Sequence, residues 1–533
     1  MGAMLFACFI CFSGIAGAQQ EPEITLDTYE IVGRDTRVFT IIGDRRSTVD
    51  FSITPILQPR EERKREMSLG LLTDDERIVR EETFYSREGV YGTADFETGF
   101  RMPARLWSRG SASAAKAGLT LGVANRTARL NTPTNLAPNV QDVNAAGYIE
   151  ASGARFAAEV LYNRQGDEVE DKLYRNRDRS ADRLGGSFTM RAPLFDTWDI
   201  SGGFNIHSST YEDPELNTDA DEKVLRGRAN LRGDIGDMTL DLNGEGARME
   251  LDDDYGTLLK AGGTGTMLLA DRLSVKLGAS FTASEMPGDD TDVNLYPRIE
   301  AEWLIMKGLA LNLSYNPRLI QHSFGGLYDT NGLVTYTTPL IFENRKLDAS
   351  GRLTFRPAMA FETGVEAYVR KSENAPVFNY TSLAIAPGSD YYEIVPGADV
   401  DVTGYRFLFS YDWGDYWGFD GEAELRDATW NYSGDVPYIP DMTGTLTGYY
   451  AFQRYLIFYA SLNYFGEHYV LRDDTAKEDG FLTVDLGAEL TIWSESLGLF
   501  VEAHNITNSE GAWWTNPYNI PGIGLYAGIR ATY

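Results

Sequence analysis

Few residues in the sequence have the types and the spacing that catalysis requires. Both cysteines, Cys8 and Cys11, lie near the N-terminus, so we expect no catalytic thiol, cysteine-bound zinc or iron–sulfur cluster further along the chain. The histidines have no spacing typical of a metal or nucleophile site, and we interpret them as isolated polar residues: His207, His322, His468 and His504. The sequence therefore predicts no enzyme, no cofactor and no metal centre.

Acidic and aromatic clusters are the remaining candidates for ligand binding. Carboxylates in two short segments could bind calcium in loops, or could simply be solvated: Asp252, Asp253 and Asp254, and Asp289, Asp290 and Asp292. The aromatic residues Trp513, Trp514 and Tyr518 could stack on a sugar or an aromatic ligand, or could pack within the protein. A second aromatic group lies near a short predicted turn and is typical of a membrane-interface girdle: Trp413, Tyr416 and Trp417.

The charge of the chain excludes one class of partner. The 533 residues include 48 Lys and Arg against 78 Asp and Glu, which gives a net charge of −30 at pH 7. Nucleic-acid binding depends on neutralising phosphates with basic side chains. We therefore expect no nucleic-acid partner.

The N-terminal residues predict secretion. Residues 4–18 are apolar and small and end in Ala16-Gly17-Ala18, a pattern typical of a signal-peptidase site, so we expect a signal peptide over residues 1–18. Residues 19–90 follow as a short periplasmic segment, and charged stretches within 59–82 indicate that it is partly helical or disordered. Past the signal peptide, no run of about 18 apolar residues predicts a membrane-spanning helix.

The barrel is expected over residues 91–533, and from about residue 115 onward the dominant pattern is a strict alternation of apolar and polar residues. In 273–284 every odd position is apolar and every even position is polar or glycine, and 309–316, 361–370 and 481–492 resemble it. Each segment has about ten residues, the length with which a tilted strand crosses a bilayer. The pattern predicts an all-β fold, a transmembrane β-barrel.

The links between these segments indicate how the barrel is arranged. Short links strictly alternate with long polar ones, as in barrels with short periplasmic turns and long external loops. The short links include 233–236, 270–272, 356–358 and 452–454, and the long ones are 163–183, 208–222, 285–294, 317–345, 371–397, 466–480 and 506–522. This parity predicts an antiparallel up-and-down barrel with both termini in the periplasm. It has twenty strands, or twenty-two if 91–107 adds a hairpin.

The last segment, 523–533, resembles the C-terminal signal that the outer-membrane assembly machinery reads. One of its faces is apolar, the chain stops on an aromatic residue, and Gly528 precedes that residue at a short distance. We expect Gly528, Ala531 and Tyr533 to direct assembly, and we expect removal of Tyr533 to impair insertion into the outer membrane.

Three stretches near the C-terminus resemble the closing strands of TonB-dependent receptors: 481–488 (FLTVDLGA), 499–508 (LFVEAHNITN) and 516–522 (NPYNIPG). The family commonly has an arginine after the Pro-Gly of the third stretch, where this chain has Ile523. The resemblance implies a large Gram-negative outer-membrane barrel of twenty-two strands, surrounded by lipid and used for the uptake of bulky solutes. A transport receptor or channel is therefore the expected function. A structural barrel that anchors a periplasmic or surface partner is the alternative.

The N-terminal part departs from that family. TonB-dependent receptors carry a large plug domain in the lumen, whereas residues 19–90 contain no recognisable plug motif. One segment, Tyr29-Glu30-Ile31-Val32, resembles the stretch that pairs with the periplasmic energy-coupling protein, and it is also compatible with an ordinary strand or tail. Three closures of the lumen follow: the N-terminal segment, inward-folded external loops, or a plug-like periplasmic partner.

The charge pattern favours the N-terminal segment among these closures. Carboxylates predicted to face the lumen outnumber the basic residues beside them: Glu300, Glu302, Glu362, Glu366, Asp485 and Glu489 against Arg298, Arg370 and Arg530. A basic insert would find complementary charge there. Residues 60–65 are strongly basic, with Arg60, Arg63, Lys64 and Arg65.

The link lengths generate a topological prediction. Single cysteines placed in 317–345 or 371–397 should react on intact cells with an impermeant thiol reagent, because these long links are expected outside the cell. Cysteines in 233–236 or 356–358 should react only after the outer membrane is permeabilised. Preferential labelling of the short links on intact cells would contradict the topology.

Overall fold

The computed structural model describes residues within 93–532. The gaps are 103–104, 115–116, 128–136, 152–153, 171–175, 196, 214–217, 271, 287–290, 332–333, 336–339, 359, 383–389, 414–415, 433, 453–454, 471–475, 494–496, 510 and 512–521. The chain divides into two units, 1–58 and 59–533, and all described residues belong to the second. The predicted signal peptide and the segment 19–90 therefore lie outside the described residues.

The described part consists almost entirely of strands, with one short helix. The helix α1 is Phe324–Thr330. The strands are β1 Thr93–Met102, β2 Arg105–Ala114, β3 Ala117–Thr127, β4 Ala137–Ala151, β5 Ala154–Glu170, β6 Asn176–Phe195, β7 Trp198–Asp213, β8 Thr218–Ile235, β9 Met238–Leu251, β10 Asp254–Ala270, β11 Leu273–Glu285, β12 Asp292–Met306, β13 Leu309–Tyr315, β14 Arg318–His322, β15 Ile341–Ala358, β16 Phe361–Glu373, β17 Val377–Ser382, β18 Asp390–Val395, β19 Val400–Trp413, β20 Trp417–Trp430, β21 Met442–Phe452, β22 Leu456–Phe465, β23 His468–Tyr469, β24 Lys477–Glu478, β25 Phe481–Trp493, β26 Leu497–His504 and β27 Gly524–Thr532.

One closed antiparallel sheet contains 23 of these strands. Strands β13 and β14 both pair with β15 and form a single interrupted strand, so the wall has twenty-two strands. The sheet closes because β1 pairs with β27, from Asp95 opposite Thr532 to Met102 opposite Leu525. The predicted up-and-down barrel is confirmed at the larger strand number, and the additional hairpin is β1 and β2.

The alternation of side chains gives this barrel an apolar outside and a polar inside. On β11, Leu277 and Phe281 face outward with 47% and 53% of their surface exposed, whereas Thr282 and Ser284 face inward and are buried. Outward residues pair with outward residues on the next strand, as Leu277 does with Ile299. An exposed apolar exterior is the surface that a bilayer solvates. The predicted transmembrane barrel is therefore confirmed in its architecture.

In the described part, no helix has the length and apolar character needed to cross a membrane.

The links segregate to the two ends of the barrel. One end, here called the short-turn end, carries tight links such as 236–237, 271–272 and 307–308 together with both ends of the sheet. The other end, here called the long-link end, carries the remaining links. The predicted segregation is thus confirmed, with turns within a few residues of their predicted positions.

Two predicted lengths at the long-link end are wrong. The predicted long links 163–183 and 208–222 are mostly strand, because β5 to β8 extend well beyond the length that a bilayer requires, β6 over 20 residues. The link 252–253 at the same end is a tight turn. The predicted strict alternation of short and long links is therefore wrong. The polar residues of these segments continue the β-strand pairing beyond the bilayer-spanning length and do not form loops.

The last strand generates a prediction about assembly. Gly528 lies on the lumen face of β27 beside the Phe500 ring, and a Cβ at this position would come within 3.0 Å of several ring atoms. Replacing Gly528 by Ala should lower the amount of heat-modifiable barrel in the outer membrane, and Gly528→Asp should lower it further because a carboxylate would be forced against the ring. Adding Phe500→Ala to Gly528→Ala should restore the level. Normal levels of Gly528→Asp would contradict the packing argument.

Candidate functional site

The lumen face of the barrel is buried at the long-link end and accessible towards the short-turn end. Along β7, the lumen-facing residues Ser209, Tyr211 and Asp213 are buried, whereas Asp199 and Ser201 near the other end are partly exposed. Strand β9 has the same gradient, with Ala247, Met249 and Leu251 buried. Some part of the protein therefore covers the wall at the long-link end.

Four links at that end fold together and provide this cover. We call their described residues the cap: 316–340 with β14 and α1, 374–399 with the hairpin β17–β18, 431–441, and 466–480 with β23–β24. They share one buried apolar cluster with the wall at the long-link end. The residues that the cap contributes to this cluster include Phe324, Tyr328, Phe378, Tyr392, Ile394, Tyr438 and Val470. The links are thus folded inward as a compact unit.

Specific contacts join each link of the cap to the next. Val334 forms a β-bridge with Tyr392 of the hairpin, and the Tyr392 ring lies 5.5 Å from the Tyr438 ring. The backbone N–H of Tyr438 donates to the carbonyl of Tyr469 at 2.7 Å, and its hydroxyl donates to the carbonyl of Val470 at 2.6 Å. The described cap is therefore continuous from the link before β15 to the link before β25.

The cap also contacts a part of the wall that is remote from its own strands. The backbone N–H groups of Phe324 and Gly325, at the start of α1, donate to the two carboxylate oxygens of Glu222 on β8, at 2.5 and 2.9 Å. Strands β9 to β13 lie between β8 and the link that carries α1. The cap therefore reaches past five intervening strands to contact the wall at β8, and Glu222 satisfies two of the N–H groups that the first turn of a helix leaves unpaired.

Aromatic packing surrounds this contact. The Tyr211 ring on β7 meets Phe324 edge-on at 4.7 Å, and the Arg183 guanidinium on β6 lies 5.6 Å from the ring centroids of both Tyr211 and Tyr328. We call this group the latch: Arg183, Tyr211 and Glu222 on the wall, and Phe324, Gly325 and Tyr328 on the cap. Apart from Arg183, which is partly exposed, the residues of the latch are buried.

The local sequence explains why α1 begins at the latch. Ser323 is the N-cap residue, and its hydroxyl accepts a hydrogen bond from the N–H of Gly326 at 3.0 Å. A Cβ on Gly325 would lie 2.6 Å from the Tyr211 hydroxyl and 3.0 Å from a Glu222 carboxylate oxygen. Only glycine therefore allows the backbone to approach Glu222 this closely.

Two buried networks of charged residues lie on the wall near the cap. In the first, Glu343 accepts hydrogen bonds from Arg345 at 2.7 Å and Ser372 at 2.6 Å, and its other oxygen lies 2.8 Å from His322. In the second, His504 lies 3.2 Å from Glu502 and 3.6 Å from Asp485. Each buried carboxylate has charged or hydrogen-bonding partners, as burial requires.

The interpretation of the histidines as isolated polar residues is therefore wrong for three of them. His207 on β7 also has a charged neighbour, since its ring lies 3.8 Å from Glu222 of the latch. The scattered positions in the sequence concealed these contacts because antiparallel pairing brings distant residues together. Within the described residues, no group of three or more His, Cys, Asp or Glu side chains could hold a metal ion.

The lumen wall below the cap is less acidic than the sequence predicted. Glu300 is 3.6 Å from Lys276 and 2.6 Å from Arg298. Glu362 pairs with Arg352 and Arg356, and Arg406 reaches Glu366 at 3.7 Å and Glu424 at 3.5 Å. The expected excess of carboxylates over basic side chains is therefore wrong for this part of the wall, because Lys276, Arg352, Arg356 and Arg406 also face the lumen.

The structure leaves several predicted site residues untested. The possible ligand-contact aromatics Trp513, Trp514 and Tyr518 lie outside the described residues, as do the possible coupling segment Tyr29, Glu30, Ile31 and Val32, the basic stretch 60–65, and Tyr533. The backbone at Gly528 and Ala531 lies in β27, paired with β26 and β1. Their role in assembly is still a prediction.

The other predicted groups fall where the barrel gives them ordinary structural roles. Trp413 and Tyr416 are 58% and 62% exposed at the short-turn end, and the Trp413 ring stacks on Trp417 at 6.2 Å, which fits an aromatic girdle. Asp252 accepts a hydrogen bond from the backbone N–H of Asp221 at 2.8 Å in a tight turn. Asp289 and Asp290 lie outside the described residues.

The sequence allowed inward-folded external loops as one of three closures, but it did not predict which links form the cap, and it gave no indication of the latch. One signal was present, since the predicted polar link 371–397 contains Val377, Phe378, Ile394 and Val395, which are too apolar for a solvated loop. Another was Ser323 before two glycines, a helix start within a predicted loop. Glu222 carried no signal, because its partners are 102 and 103 residues away along the chain.

Solved structures with this architecture give the comparison. The FrpB iron transporter from Neisseria meningitidis matches with a TM-score of 0.65 and 11% identity, over 83% of this chain and 82% of its own. The chain has the barrel fold of TonB-dependent receptors. The copper transporter OprC matches with a TM-score of 0.63, 12% identity, and 83% and 80% of the two chains. The siderophore receptor PiuA from Acinetobacter baumannii matches with a TM-score of 0.61 and 9% identity, over 83% of this chain and 82% of its own.

No protein-family model and no curated protein matches the sequence.

The join between the last two links of the cap generates a prediction. Burial raises the pKa of Tyr438 well above its ordinary value, so its hydroxyl stays a neutral donor to Val470 into the alkaline range. Tyr438→Phe removes this donor and leaves a carbonyl unpaired, at a cost of about 1–3 kcal/mol. Hydrogen exchange of 466–480 should therefore rise about tenfold or more. Tyr432→Phe, which removes a hydroxyl whose hydrogen bond to the Pro396 carbonyl is 3.5 Å long, is the control and should change exchange little.

Proposed function

We propose that the protein is an outer-membrane transport receptor or channel for a bulky solute, with the cap as the gate of its lumen. The observation that carries this proposal is the inward-folded cap, which covers the long-link end while the described lumen wall is accessible towards the short-turn end. A wall of about 22 strands encloses a lumen that needs a closure. A folded unit of loops that has chain connections to the wall on one side and only non-covalent contacts on the other is suited to opening.

The orientation follows from the usual arrangement of outer-membrane barrels. We place the long-link end outside the cell and the short-turn end, with both termini, in the periplasm. The signal peptide is then 1–18, the periplasmic segment 19–90 and the barrel 91–533. Outer-membrane lipid and the assembly machinery are partners in this arrangement, and a periplasmic energy-coupling or plug-like protein is a further one. The similar structures, described as iron, siderophore and copper transporters or receptors, support transport rather than enzymatic activity.

A second candidate function is supported by the accessible end of the lumen. A barrel that is covered on one side and open on the other could hold a periplasmic partner, or residues 19–90, as an anchoring protein would. The two functions differ in one property. A transport protein must conduct solute when its cap is opened, whereas an anchor is selected only for what it holds.

Single-channel conductance in planar bilayers tests the proposal. We expect low conductance from the full chain and at least several-fold higher conductance when 377–395, the cap hairpin, is replaced by a short Gly-Ser linker. A second variant, with residues 23–80 deleted and the signal peptide kept, tests whether the N-terminal segment closes the lumen, as the charge pattern favours. An increase only on deletion of 23–80 would make the N-terminal segment the gate. Unchanged conductance in both variants would favour the anchoring function.

A further inference from the structure

The cap is attached to the wall very differently on its two sides. On the side of β14 to β25 the cap is continuous with the strands that carry it, and it shares the large apolar cluster with them. On the side of β6 to β9 the wall carries none of the links of the cap, so the two are joined there only by non-covalent contacts. These contacts are the latch and the part of the apolar cluster that this wall contributes, namely Ala181, Ala220, Val224, Met249 and Leu251. If the cap moves, the latch is therefore the place where it can separate from the wall.

The latch depends strongly on one carboxyl group. Glu222 is fully buried and accepts two N–H groups of the first turn of α1, those of Phe324 and Gly325, while His207 and the ring cluster around Tyr211 are its other neighbours. A buried carboxylate is costly unless its oxygens are hydrogen-bonded. Separation returns Glu222 to water, which lowers the cost of opening compared with exposing an apolar core.

Resting on the proposed function, we infer that the cap opens at the latch, that the solute passes along the lumen wall of β6 to β10, and that this path prefers anionic solutes.

The wall of β6 to β10 offers unpaired basic groups below the latch. Arg228 and Arg232 on β8 are exposed to the lumen, and among the described residues neither forms an ion pair within 4.0 Å. The carboxylates near them have other partners: Asp199 pairs with Arg191 and Glu245 with Arg226 and Lys260, while Asp241 and Asp234 accept hydrogen bonds from the neutral side chains of Asn230 and Thr239. Together with Arg228 and Arg232, these groups are five basic side chains against four carboxylates. Guanidinium groups with free donors are suited to binding carboxylate or phosphate groups of a solute.

The wall on the other side of the barrel has the opposite character. On β19 and β20, Arg406 and Arg426 pair with glutamates. Asp420 on the same lumen face is exposed and has no ion pair in the described part. A path along this wall would prefer cations. Whether the open channel prefers anions or cations therefore shows which of the two walls the solute passes.

The first experiment tests where the cap separates. Glu222→Gln should raise the open fraction of single channels about tenfold, because the amide nitrogen of glutamine cannot accept a backbone N–H. Glu300→Gln is the matched control, since it removes the same charge from the lumen wall at a residue without contact to the cap, and it should leave the open fraction unchanged. Phe324→Ala, which removes the edge-on contact to Tyr211, is a second latch variant that does not alter charge.

The second experiment tests the path. In the Glu222→Gln background, the reversal potential in a KCl gradient should show anion preference, and Arg228→Gln with Arg232→Gln should shift it towards cations. Asp420→Asn should leave it unchanged. Cation preference in the Glu222→Gln channel, or a reversal potential that responds to Asp420 and not to the arginines, would overturn the inferred path.

The outcomes separate this inference from the proposed function. If replacing the cap hairpin opens a channel but Glu222→Gln and Phe324→Ala both behave like Glu300→Gln, the cap opens elsewhere and only the inference fails. If neither the hairpin replacement nor the latch variants conduct, the proposed function fails as well.

Discussion

The requirement that every backbone N–H and C=O inside hydrocarbon has a partner within the protein governs this structure. The pairing of β1 with β27 meets it, since it leaves the sheet without an edge. Closure of an up-and-down sheet requires an even number of strands and places both ends of the sheet at the short-turn end. The alternation of side chains then divides the residues of each strand between lipid and lumen.

Closure with twenty-two strands creates a second requirement, because side chains alone cannot fill so wide a lumen. The cap meets it at the long-link end by folding four links into one apolar cluster. A segment that folds inward must also pair its own backbone groups. The hairpin β17–β18, the helix α1 and the hydrogen bonds of Tyr438 to the link 466–480 provide those pairs.

The barrel could be predicted from the sequence, and its interior could not. A strand such as β11 is specified by its own alternation, so its bounds followed within a residue. The pairing of lumen charges depends on the register between strands, where a shift of one residue moves a side chain to the other face. For this reason Glu300 was assigned to the lumen correctly, while Lys276 on the next strand was not recognised as its partner. The latch was further out of reach, since it joins Glu222 to Phe324 through tertiary folding alone.

The position of the Glu222 contact would let a tightly folded cap act as the proposed gate. The apolar cluster resists opening everywhere, because each apolar side chain exposed to water costs about 1.5–3 kcal/mol. The latch is different in kind, since the carboxylate and its donors exchange their hydrogen bonds for bonds to water when they separate, so each bond is lost at its net value and not at the roughly 4–6 kcal/mol that it has in an apolar medium. A cap whose contact with β6 to β9 combines Glu222 with apolar side chains, and which has no chain connection there, is therefore stable when closed and separable at that side. A purely apolar contact of the same size would lack this compensation, and the cap would behave as a permanent seal.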